Sequence, residues 1–138
     1  MYNSPAPPGS ETGRSNLGDV GQNHHGGVVL VDGYIYGGHG QNAGAPTCIE
    51  LKTGKIMWKA AAPAGGSAAV LYADGHLYFR YEDGTLALIE AAPAMFTVTS
   101  TFKLPTSDGP SWPHPVIADG KLYLRHNDSL LCYAVAAN

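Results

Sequence analysis

Long apolar runs are missing from this chain. No stretch nears the roughly 18 consecutive apolar residues that a membrane-spanning helix requires, so no helical span is expected. Charge of one sign is also missing: eight Lys and Arg face eleven Asp and Glu, a net charge of −3 spread thinly along 138 residues. With no basic stripe, nucleic acid is not an expected partner. No segment keeps a 3.6-residue apolar period over a useful length, which argues against helix. The first ten residues, Pro-rich and polar, lack the apolar centre of a signal peptide. A Gly-x-Ser-x-Gly elbow, paired acids at catalytic spacing and a zinc-ligand motif are all lacking, so no catalytic residue is assigned. Cysteine is scarce too, with only Cys48 and Cys132 present.

Glycine and proline are abundant, at 18 and 10 residues, and suit a fold that turns every eight to twelve residues. One pattern recurs three times: Asp32-Gly33, Asp74-Gly75 and Asp119-Gly120, each between apolar, β-rich runs, with the glycines 42 and 45 residues apart. Asp-Gly between such runs marks a tight hairpin, because both turn residues need positive φ. A period near 43 residues built from short strands points to propeller blades. The expected strands are 28–31, 34–36, 47–51 and 55–60 in the first unit. In the second they are 68–73, a run after Gly75, 85–90 and 96–104; in the third, 116–118, a run after Gly120, and 129–135. The fold class is therefore all-β: a partial β-propeller of about three antiparallel four-stranded blades, the last lacking its outer strand. Residues 1–23 read as a disordered or loop lead-in, 24–62 as blade one, 63–105 as blade two and 106–138 as an incomplete blade three. A short edge strand at 17–20 is the most that the lead-in would supply.

Several side chains gain expected roles from this alignment. Cys48 and Cys132 fall at matching positions of units one and three, with Leu88 between. A whole blade separates them, too far for a disulfide, and both read as small buried apolar groups. Trp58, on an outer strand, is expected to wedge between blades. Arg80 and Arg125 are equivalent and are expected to pair with turn acids such as Glu82 or Asp128. Gly37 to Gly44 reads as a flexible loop; it lacks the third glycine and the following helix of a nucleotide-binding turn.

In a meander blade, the loops before strand one and between strands two and three share one face. His24, His25, His39, His114 and His126 map to that face, joined by Trp112, Gln41 and Asn42, whereas the Asp-Gly turns map to the other. His24, His25, His39, Trp112, His114 and His126 are the candidate ligand-binding set. A metal is not expected: three or four convergent ligands are needed, and the adjacent His24 and His25 would point apart on an extended chain.

The run from Ile49 to Trp58, Ile-Glu-Leu-Lys-Thr-Gly-Lys-Ile-Met-Trp, resembles the PQQ-like repeat of quinoprotein-type β-propellers. That repeat is shared by quinoprotein alcohol dehydrogenases and BamB-like assembly scaffolds. The stretches 24–30, 73–78 and 112–123 are more similar still to exported bacterial PQQ-binding-like β-propeller repeat proteins. This resemblance implies a non-catalytic scaffold for protein interaction or ligand binding, periplasmic or extracellular in its full-length form. It also implies that the chain corresponds to a C-terminal part of a larger ring, its partners being other blades, further copies of itself, a protein or a small molecule. The alternative it implies is part of a PQQ-dependent (quinoprotein) dehydrogenase, which would use PQQ with calcium. No base or calcium ligand is assignable for that alternative.

Overall fold

A computed structural model describes residues 22–105 and 108–135. Eleven strands build three antiparallel meanders, and the described residues contain no helix. The first sheet runs β1 (Val28–Val31), β2 (Tyr34–His39), β3 (Ala45–Glu50) and β4 (Ile56–Lys59) in simple neighbour order. The second runs β5 (Ala68–Ala73), β6 (His76–Tyr81), β7 (Thr85–Glu90) and β8 (Val98–Lys103) in the same order. The third has β9 (Val116–Ala118), β10 (Lys121–His126) and β11 (Ser129–Ala134), with β10 central. The three sheets do not close on one another, as expected of an arc of a propeller. The expected strand at 17–20 lies outside the described residues.

The Asp-Gly turns take the conformation expected of them. Asp32, Asp74 and Asp119 have φ of 48°, 48° and 50°, and the glycines that follow have φ of 83°, 77° and 69°. Positive φ at both central residues matches the strand twist, so each turn closes its hairpin without splaying it. Register then repeats between sheets: Tyr36 faces Cys48, Tyr78 faces Leu88 and Tyr123 faces Cys132. A bulge follows Cys48 in sheet one and Leu88 in sheet two.

The core lies between consecutive sheets. Tyr36 and Cys48 of sheet one pack with Val70, Leu77, Phe79, Tyr81 and Ile89 of sheet two. Leu86 and Leu104 pack with Leu122 and Leu124 of sheet three. Trp58 bridges sheets one and two as a wedge: its ring lies 5.9 Å from Tyr36 and 5.3 Å from Phe96, and its Nε1 donates to Ala92 O at 2.9 Å.

Three expectations are corrected. The segment 37–44 is not all loop, because β2 continues to His39 and only residues 40–44 turn. Cys132 is exposed while Cys48 is buried, because β11 has no sheet packed on its far side among the described residues. Neither arginine pairs with a turn acid. Arg125 is exposed and its Nε donates to Asn127 O at 2.9 Å. Arg80 is buried and turns inward to the loop before β9.

Candidate functional site

Three loops meet on one face of the arc. The first precedes β1. Asn23 folds it: Oδ1 accepts from Gly26 N at 2.8 Å, and Nδ2 donates to Gly27 O at 2.6 Å. That closure bends the chain at His24 and His25, so their rings lie side by side, centroids 3.8 Å apart, instead of pointing apart as on an extended strand. Gly26 runs against sheet two, its carbonyl accepting from Val70 N at 3.2 Å; a Cβ there would stand 1.6 Å from Ala68 O. No larger residue fits without moving the backbone.

The second loop joins β6 to β7, and the third leads from β8 into β9. They are fastened together. Glu82 O accepts from Ser111 N at 3.0 Å. The Glu82 carboxylate accepts from Ser67 Oγ at 3.0 Å and from Trp112 Nε1 at 2.8 Å. Beneath them Arg80 reaches across with Nη1 donating to the carbonyls of Tyr81 and Ser111, and Nη2 to Arg125 O at 3.3 Å. Nη2 also lies 2.6 Å from His126 Nδ1, which must accept because a guanidinium only donates. His126 Nε2 therefore carries the hydrogen and donates to Gly109 O at 3.1 Å. Burial lowers the affinity of Arg80 for its proton, and Asp83 nearby opposes that shift. Asn127 completes the clamp, with N donating to Ser111 Oγ at 3.1 Å and Nδ2 to Asp108 O at 2.7 Å.

The clamp presents an aromatic surface. Trp112 is 47% exposed despite its tether, and its ring lies 5.6 Å from that of His25. His114 Nε2 sits 3.2 Å from His25 O. Beside Trp112 lies a hollow of about 340 Å³, lined by Ser111, Trp112, Pro113, Arg125 and Asn127. Four of the six candidate residues, His24, His25, Trp112 and His114, are thus brought together. His126 is buried beneath them as a support, and His39 is buried at the end of β2 opposite Ala45; neither belongs to the exposed group.

Glu82 and Arg80 were missed as parts of this face. Both look like ordinary surface charges in sequence, and only the approach of the loop at 108–114 reveals their partners. Among the described residues, no three or more His, Cys, Asp or Glu converge where a metal could sit. Calcium beside a quinone would call for six or more oxygen ligands. The carboxylate in contact with Trp112 is Glu82, already engaged by Ser67 and the indole. These donors do not fit a calcium–quinone pair.

No helix among the described residues is long and apolar enough to cross a membrane. No curated protein matches the chain. Among solved structures, the fold is similar to the crystal structure of BamB from Moraxella catarrhalis, with a TM-score of 0.51 and 10% identity. That match covers 78% of this chain and 41% of the BamB chain, so the protein spans about two-fifths of that structure. Residues 5–94 match the family described as outer membrane protein assembly factor BamB. With three repeated blades, a matching fold and a family match over most of its length, the chain belongs to the BamB-type family of PQQ-like β-propeller repeat proteins.

Proposed function

We propose that this β-propeller repeat segment is a non-catalytic interaction scaffold, exported in its full-length form, whose Trp112 face holds an extended segment of a protein partner. One observation carries the reading: Trp112 is a large, half-exposed ring held in a fixed position by Glu82. A rigid aromatic anchor in a shallow hollow loses little entropy on binding and is the typical centre of a protein contact. Trp112 and the exposed cation Arg125 both line the hollow beside it, a combination suited to a strand with alternating apolar and acidic residues. The family description, outer membrane protein assembly, makes strands of outer membrane β-barrels the first partners to test.

Fluorescence anisotropy of a labelled ten-residue barrel-strand peptide, titrated with the chain, tests this. Trp112→Ala is expected to weaken binding at least about ten-fold. Met95→Ala, exposed in the loop between β7 and β8 on the opposite face, is expected to leave binding unchanged. Equal affinity for Trp112→Ala and the unaltered chain would overturn the assignment.

A further inference from the structure

A second cavity lies away from the Trp112 face, between sheets two and three. It holds about 350 Å³ and its walls include Tyr78, Leu88, Ser100, Phe102, Leu122 and Tyr133. It is continuous with the interface between those sheets, where the rings of Phe102 and Tyr133 meet with centroids 5.4 Å apart. Its origin is legible in the repeat. In sheet one, register runs Tyr36, Cys48, Trp58 across β2, β3 and β4. In sheet two, the same row runs Tyr78, Leu88, Ser100 across β6, β7 and β8. Ser100 therefore stands where Trp58 stands one blade earlier. Between sheets one and two the indole fills the gap and packs against the shared core. Between sheets two and three the ring is absent. Every residue of β8 is left exposed, and the tyrosine that would flank the ring, Tyr78, packs against the Leu86, Leu122 and Leu124 cluster and also lines the cavity.

We propose that this cavity binds a small planar aromatic molecule of about the size of indole, lodged where the repeat elsewhere places a tryptophan ring. The cleft is lined mainly by apolar and aromatic side chains with one serine, the composition usual for small-molecule sites, and its volume lies in their range. Tyr78, Phe102 and Tyr133 supply ring contacts, and the Ser100 hydroxyl offers a polar partner for a ring N–H. The cavity and the Trp112 face are distinct surfaces, so peptide binding and indole binding can succeed or fail separately.

Indole itself is the probe. Titrated into the full chain at millimolar concentration, it should raise the melting temperature saturably by about 2–6 °C. Ser100→Trp should raise the melting temperature without ligand, as cavity filling does, and abolish the indole response. Ser100→Ala should retain that response. An indole shift that persists in Ser100→Trp, or no saturable shift in the unaltered chain, overturns the proposal. If Ser100→Trp does not fold, nuclear Overhauser contacts in the unaltered chain decide. Contacts from indole protons to Tyr78, Phe102 and Tyr133 support the site; contacts to Trp112 instead, or none, sink it.

Discussion

Arg80 is 2% exposed and meets no carboxylate; its charge is spread over three backbone carbonyls and one imidazole, while Nε has no hydrogen-bond partner. A buried cation of this kind is tolerated only because several acceptors surround it. Replacing it by Met, which keeps the apolar stem, leaves the Ser111 and Arg125 carbonyls without their donor. Arg80→Met should cost about 2–4 kcal/mol in urea denaturation and free the loop that carries Trp112, seen as a red-shifted tryptophan emission. Two tyrosines set a different limit. Burial raises the pKa of Tyr36, helped by its hydrogen bond with Cys48, and burial also raises that of Tyr81, with Asp83 adding to the shift. A folded-state pKa above the unfolded value of 10.0 means that stability is intact below about pH 10 and is lost as pH rises beyond it, since the unfolded chain releases these protons first. Urea midpoints measured from pH 8 to pH 11.5 should therefore hold level and then fall. Tyr36→Phe should flatten the fall; an unchanged alkaline slope in that variant would count against the assignment.

At the scale of elements, what the sequence made legible was whatever a short run of residues decides by itself. The Asp-Gly hairpins could be read because φ > 0 at two adjacent positions is a local demand that few dipeptides meet, and β1, β5, β7 and β9 fall where their apolar runs end. The extension of β2 to His39 could not be read. Gly37 and Gly38 look like loop residues, yet their small size lets Val28 and Gly44 approach: a Cβ on Gly37 would lie 2.8 Å from Val28 Cγ1, and one on Gly38 would lie 3.3 Å from Gly44 Cα. The shared bulge after Cys48 and Leu88 was hidden as well, since pairing with the outer strand decides it. The candidate face was legible in part. Meander connectivity gathered the loop histidines on one side, but whether each ring faces solvent depends on contacts far away in sequence. His126 shows this: its partner Arg80 lies 46 positions earlier and draws it inward. Charge pairing failed for the same reason: turn acids were the nearest charges in sequence, but the groups that bond the Arg80 guanidinium include Ser111, Arg125 and His126, 31 to 46 positions away.

At the scale of the whole molecule, the sheets are unequal because each can be covered on zero, one or two faces. Sheet two is covered on both. Leu77, Phe79, Tyr81, Ala87 and Ile89 of its central strands are all fully buried, facing sheet one, while Leu86 faces sheet three. Among the described residues sheet three is covered on one face, and β11 alternates between half-buried and exposed residues along its length. Amide exchange from a paired strand requires local opening, and the cost of opening rises with the apolar surface that opening would expose. Hydrogen exchange read by mass spectrometry should therefore rank β6 and β7 as the slowest segments, with β10 and β11 faster by at least about ten-fold. The comparison is discriminating because β6 and β10 are both central strands hydrogen-bonded on two sides, so backbone pairing alone predicts equal rates. Equal protection of β6 and β10 would mean that the outer face of sheet three is covered in solution. Repeating the exchange at a tenth of the protein concentration would then identify the cover: protection lost on dilution belongs to a second copy, and protection that persists belongs to the chain itself.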